Sequence, residues 1–168
     1  PLENISIFTS IKGIDRQKFS EFLLEYMCYY YDDIDTTFTQ SIIRALEMSI
    51  HSPYENKAKN VIIIADNTTD IQAIAICTPK RGGSMKIAPF LISEKLRSPD
   101  IITKLMEGII GHARQIKRRK LLFLIPIVDW DIISMLINYG LSFEGVIREP
   151  YKAGVDIVAL ALQIRYTE

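Results

Sequence analysis

The chain has 168 residues, and its 20 Lys and Arg balance 20 Asp and Glu, so nothing global draws it to nucleic acid or an anionic membrane. A hydrophobic fraction of 48% and a charged fraction of 24% fit one globular domain, 1–168, with a sizeable core. The longest apolar runs, such as 121–128, are too short to span a bilayer, and no cationic leader with an apolar stretch opens the chain, so a cytoplasmic protein is expected.

Residues 5–11 alternate Ile5, Ile7, Thr9 and Ile11 against Ser6, Phe8 and Ser10, which predicts a first strand. Asp15 is placed to cap a helix whose Phe19, Phe22, Leu23, Tyr26, Met27 and Tyr30 share a face. That helix ends in the aromatic and acidic run 29–35. Thr37 and Gln40 have capping-box spacing and predict a second helix, with Ile42, Ile43, Leu46 and Ile50 inward and His51-Ser52-Pro53 as its stop. Residues 61–65 and 71–77 read as strands of a hairpin across the turn chemistry of 66–70. Arg81-Gly82-Gly83-Ser84 then leads by a short turn into a strand at 85–92, which implies antiparallel pairing there as well. Cys28 and Cys77 lie far apart in apolar segments and read as reduced core residues, with one disulfide as the alternative.

After a polar turn at 93–97, Ser98 suits an N-cap, Pro99 the first helical position and Asp100 the positive end of the dipole. Ile102, Leu105, Met106, Ile109, Ile110, Ala113 and Ile116 give this long helix an apolar face, and Lys117 to Lys120 meet its negative end. A buried strand turning directly into a helix gathers unpaired amides and is a candidate anion site; a plain strand–helix unit is the alternative. Residues 121–128 read as an interior strand parallel to its neighbour. Asp129 can cap a helix through Tyr139, closed by Gly140, and 143–148 and 155–164 form a last hairpin. The order β-α-α-β-β-β-α-β-α-β-β gives an α/β (α+β) fold with a mixed, mostly antiparallel sheet and helices on both faces. His51 and His112 are single, with no partners at ligand spacing, so no metal is expected.

This order, together with Tyr139-Gly140-Leu141-Ser142-Phe143-Glu144-Gly145-Val146-Ile147-Arg148-Glu149, resembles the GNAT superfamily of N-acyltransferases over nearly the whole chain. The resemblance implies acetyl-CoA as co-substrate and a small-molecule or peptide amine as acceptor, without nucleic acid or membrane, and a homodimer as one assembly open to it. A catalytically inactive ligand-binding or regulatory module on the same fold is the alternative. In the family the fourth strand is followed by R/Q-x-x-G-x-G/A, whose loop amides hold the pyrophosphate. The matching residues here are Arg97, Ser98, Pro99, Asp100, Ile101 and Ile102. Arg97 is retained, Asp100 and Ile102 stand at the glycine positions, and Pro99 removes one donor, so weak acetyl-CoA binding is expected.

Phe90, Leu91 and Ile92 match the segment that meets the thioester carbonyl and pantetheine arm in the family, and Pro89 suggests a bulge or splay there. The family's acidic tyrosine falls on Leu136, which has no proton to donate; Tyr139 is the substitute candidate, or else an amphipathic core tyrosine. Asp129 takes the place of a frequent asparagine, with capping as its other role. Residues 85–93 hold no carboxylate to act as base. The run 29–35 falls where the family shapes its acceptor site, and its rings and carboxylates would suit a cationic amine; a solvated helix end is the alternative.

Overall fold

The computed structural model describes residues 4–51, 58–66 and 70–166. Its elements are β1 (Ile5–Phe8), α1 (Arg16–Met27), α2 (Thr36–Ile50), β2 (Asn60–Asp66), β3 (Asp70–Pro79), β4 (Ser84–Ile92), a 3₁₀ turn (Glu94–Leu96), α3 (Pro99–Gln115), β5 (Lys120–Pro126), α4 (Trp130–Tyr139), β6 (Ser142–Ile147) and β7 (Ile157–Gln163). The strands form one sheet in the order β1-β2-β3-β4-β5-β7-β6. Neighbours pair antiparallel except β4 and β5, which are parallel because α3 carries the chain back between them.

Strand alternation divides the apolar runs of β2 and β3 between two cores. Val61, Ile63, Ile74 and Ile76 join Phe19, Leu23, Ile43 and Leu46 of α1 and α2. Ile62, Ile64, Ala73, Ala75 and Cys77 join Ile102, Leu105, Ile109 and Leu136 of α3 and α4. The runs look continuous because both faces are covered. Small side chains on the α3 side let that helix come close. A Cβ added at Gly108 would lie 2.8 Å from Ile62 Cγ2.

Some predicted boundaries move, each for a local reason. The first strand ends at Phe8 rather than residue 11, because the chain turns with Ile14 N–H donating to Ile11 O at 3.0 Å and Gly13 at φ +81°. Ile11 is buried all the same, so the alternation there records burial and not a strand. Asp15 caps α1 as expected, accepting from Lys18 N–H at 3.0 Å. At α2 the cap is Asp35, whose carboxylate accepts from Phe38 N–H at 2.8 Å, so the helix starts ahead of the Thr37 box. Ser52, Pro53 and the middle of the 66–70 turn lie outside the described residues.

Both thiols are free, and Cys28 is exposed rather than part of the core. Burial pushes the Cys77 thiol up to about 12. Among the described residues no helix is long and apolar enough to cross a membrane.

Candidate functional site

β4 and β5 pair only from Ser84↔Lys120 to Ile87↔Phe123. Beyond that point β4 follows β3 to Ile92, while β5 follows β7 to Pro126, so the parallel strands part company in mid-sheet. The cause is a bulge. Between the pairs Cys77↔Ile87 and Ala75↔Phe90, two residues of β4, Ala88 and Pro89, oppose the single Ile76. Pro89 also has no N–H to give a ladder, so the splay expected at this proline is where β5 leaves.

Strand alternation decides which backbone groups face the gap. Ser93 N–H donates to Gln72 O at 2.8 Å, so Ser93 faces β3. Leu91, two residues back, faces β3 as well, whereas Phe90 and Ile92 face the gap. Of the three residues singled out in the sequence, Phe90 and Ile92 therefore present main-chain groups there, and the Leu91 amide belongs to the β3 ladder. Their side chains are all buried.

A buried polar cluster closes the far end of the gap. Arg97, from the loop after β4, donates from Nε to Ile92 O at 3.1 Å. Its Nη1 reaches Asp129 Oδ1 at 3.3 Å and Asp131 Oδ1 at 3.1 Å. Asp129 follows β5 and is only 4% exposed. Tyr30, just past α1, donates its hydroxyl to the same Asp129 oxygen at 2.7 Å. The Asp129 side chain makes no capping bond to α4, so the expected capping role is corrected: burial has turned the carboxylate to a guanidinium and a phenol instead. Burial pushes the Tyr30 phenol up, and the bond to Asp129 adds to it. Burial also holds the Asp129 carboxyl above the usual carboxylate range, although Tyr30 and Arg97 pull it down. For Arg97 burial works against the charge, and Asp129 and Asp131 outweigh it. Arg97 is thus committed to carboxylates rather than left to meet a phosphate.

The start of α3 is also largely committed. Ser98 caps the helix by accepting from Ile101 N–H at 3.3 Å, and Ile102 N–H donates to Ser98 O at 3.2 Å. Pro99 has no N–H, so among the described residues the Asp100 amide is the donor left over in this turn, beside that residue's own exposed carboxylate. Ile101 and Ile102 bury their side chains in the core. Tyr139 lies in the last turn of α4, 38% exposed, while Leu136 is fully buried. The structure thus brings Arg97, Asp129, Phe90 and Ile92 around one gap. Among the described residues no hydrogen bond or ion pair links Tyr139 to that cluster.

On the α1–α2 side of the bulge lies a cavity of about 290 Å³. Ala88 and Pro89 form its floor, next to the point where the strands part. Phe38 and Ser41 of α2 wall one side, and Tyr31 and Tyr151 the other. The loop between β6 and β7 carries Tyr151 over the cavity. It is tied down by Asp32 N–H donating to Tyr151 O at 3.0 Å and Lys152 Nζ donating to Cys28 O at 2.9 Å. The Tyr31 and Tyr151 rings lie 4.8 Å apart, and burial pushes the Tyr31 phenol up, with Tyr151 adding to it. Lys59 and Lys86 complete the lining, which contains no carboxylate. The acidic members of the run 29–35 stay outside it.

Tyr30 was visible in the sequence as one of six residues on an apolar helix face and as a member of the run 29–35, not as a partner of Asp129. The usable signal was chemical: a tyrosine on a buried face needs a partner for its hydroxyl, and an aspartate directly after an interior strand can be that partner. Lys59 and Lys86 gave no signal, since their convergence depends on the β2, β3 and β4 registers. Among the described residues no group of three or more His, Cys, Asp or Glu is placed to hold a metal.

No family model matches the sequence, and no curated protein matches it. Solved structures do. An N-acetyltransferase from Staphylococcus aureus Mu50 superimposes with a TM-score of 0.70 at 17% identity, over 95% of this chain and 97% of its own. An acetyltransferase of the GNAT family from Streptococcus pneumoniae does so with a TM-score of 0.73 at 12% identity, over 96% and 99%. Spermidine N-acetyltransferase from Vibrio cholerae, solved in complex with CoA and spermine, gives 0.72 at 9% identity, over 95% of each chain. With the strand order, the lone parallel pair and its splay already in place, these likenesses identify the architecture: this chain has the GNAT acetyltransferase fold.

Proposed function

We propose that this protein transfers an acyl group from acetyl-CoA to an amine. The observation that carries this reading is the splay of β4 from β5 directly beside the Ala88–Pro89 floor of a walled cavity. A gap faced by main-chain groups of Phe90 and by the Ile92 amide, with the Ile92 carbonyl taken by Arg97, suits an extended arm ending in a thioester, and the cavity across the bulge suits the acceptor. A neighbour of the same fold, spermidine N-acetyltransferase from Vibrio cholerae, was solved in complex with CoA and spermine, which supports acyl transfer to an amine.

The chain's residues then take these roles. Main-chain groups of Phe90 and Ile92 bind the arm and polarise the carbonyl. Arg97, Asp129 and Tyr30 hold the loops after β4 and β5 in register, and Asp129 acts by positioning. The turn Ser98, Asp100, Ile101 and Ile102 meets the phosphates through main-chain amides alone. Pro99 supplies none, and Ser98 already occupies those of Ile101 and Ile102, so the Asp100 amide is the donor left and this end binds poorly. The neutral amine attacks the thioester carbonyl carbon; a C–N bond forms, the C–S bond breaks, and the amine gives up its proton to water. Tyr139, the candidate acid, or water returns a proton to the departing sulfur.

Incubation with acetyl-CoA and a panel of primary amines tests the reading, with free thiol release as the signal. Thiol release that depends on both amine and folded protein is expected, with weak saturation by acetyl-CoA. No release above the uncatalysed rate with any amine would overturn it.

A further inference from the structure

We propose that the cavity beside the β4 bulge selects amines that also carry a carboxylate or phosphate, read by Lys59 and Lys86; this deepens, and rests on, the acyl-transfer reading. The run 29–35 had suggested a cationic acceptor, and the structure points the other way. Both ionisable cations in the lining are lysines, one from the segment before β2 and one from β4. Neither has a carboxylate partner among the described residues. Burial lowers the affinity of each for its proton, and Lys80 at the start of the β3–β4 turn lowers both further. Like charges gathered in a half-buried space, with no carboxylate partner among the described residues, are relieved by a bound anion and aggravated by a polycation.

The remaining polar groups suit the same ligand. Ser41 and the phenols of Tyr31 and Tyr151 can donate to a carboxylate or phosphate oxygen. With the anion held by Lys59 and Lys86, a short molecule has its amine free to face Ala88 and Pro89, toward the gap. Because Lys86 projects from the strand that carries the bulge, its distance from the gap is fixed by the sheet. That makes it a ruler for the separation of anion and amine.

The test is calorimetric titration of the full chain, without acetyl-CoA, by L-glutamate, O-phospho-L-serine and spermine. The first two separate carboxylate from phosphate reading, and the third is an amine with no anion. One acidic amine should bind at least about tenfold tighter than spermine, the scale of one charged hydrogen bond in a partly buried site. Lys86→Gln or Lys59→Gln should remove that preference, and Lys86→Arg should keep most of it. Tighter binding of spermine, failure of both acidic amines to bind at millimolar concentration, or folded Lys→Gln variants that bind like the parent would each overturn the proposal. Because acetyl-CoA is absent from this titration, failure here is distinct from failure of the thiol-release assay.

Discussion

The Tyr30 hydroxyl donates to Asp129 Oδ1 at 2.7 Å, joining residues 99 positions apart. Arg97 Nη1 approaches the same oxygen at 3.3 Å, so one carboxylate oxygen ties the end of α1 to the loops following β4 and β5. Tyr30→Phe keeps the ring in its 7% exposed position and deletes only the donor. Losing a hydrogen bond to a buried charged group should destabilise the fold by about 1–3 kcal/mol. Urea unfolding should show a lower midpoint with an unchanged slope. An unmoved midpoint would mean that the cluster is not a fastener.

The same carboxylate predicts a pH dependence. Because burial raises the Asp129 pKa in the folded state, the folded chain holds that proton more tightly than the unfolded chain does. The contribution is therefore fully present below the ordinary carboxylate pKa and is lost as pH rises through the raised value. Asp129→Asn cannot titrate and lacks the term. The stability of the parent relative to this variant should fall as pH rises through and above the ordinary carboxylate range. Unfolding curves across that range check the sign, and a rising difference would mean that Arg97 and Tyr30 outweigh burial.

The fold was legible because its cues are local or periodic. Apolar strands, the caps at Asp15 and Ser98, and the short turn through Gly82 and Gly83 each act within a few residues. The boundary errors at Ile11 and Thr37 came from cues with two meanings, since burial and strand pairing leave the same alternation, and Asp35 competes with Thr37 as a cap. The candidate site was legible only in part. Pro89 announced the splay, but Asp129 looked like a cap until Tyr30 and Arg97 were seen to converge on it from elsewhere in the chain. The lysine-lined cavity depends on side chains from distant segments meeting, and no spacing rule encodes that.

Two glycines of α3 should respond to alanine with opposite signs. At Gly111 an added Cβ meets nothing within 4 Å, so Gly111→Ala should stabilise by up to about 1 kcal/mol through helix propensity. At Gly108 the Cβ would press on Ile62 Cγ2, a fully buried side chain on the central sheet. Overpacking of about 1–3 kcal/mol then offsets or exceeds the propensity gain. Thermal melts of the two variants should fall on either side of the parent. Equal shifts would show that α3 is free to slide on β2.

If turnover is found, Tyr139→Phe isolates the proposed acid. The residue is part exposed at the end of α4, so the ring's packing changes little. Loss of a positioned general acid should lower kcat on the order of a hundredfold, with a smaller effect on KM for acetyl-CoA. An unchanged kcat in a folded variant assigns the proton to water.

The final prediction concerns the turn that opens α3. Asp100 is exposed in the first turn, where its charge favours the helix dipole but opposes any phosphate approaching the Asp100 amide. Asp100→Gly removes the charge and the Cβ together, whereas Asp100→Asn removes the charge alone. Ser98 still caps the turn in both, since its bond is to Ile101 N–H. Losing an acidic group at a helix start costs about 0.3–1 kcal/mol of stability, and glycine adds up to about 1 kcal/mol more. Acetyl-CoA binding should nonetheless tighten by roughly two- to fivefold at low salt in both variants, and the gain should shrink as salt screens it. If asparagine does as well as glycine, the barrier is electrostatic. If only glycine helps, the backbone needs the close approach that a Cβ denies. Folded variants that bind no better than the parent would place the barrier at Arg97, whose guanidinium is held by Asp129 and Asp131 and would have to leave them to reach a phosphate.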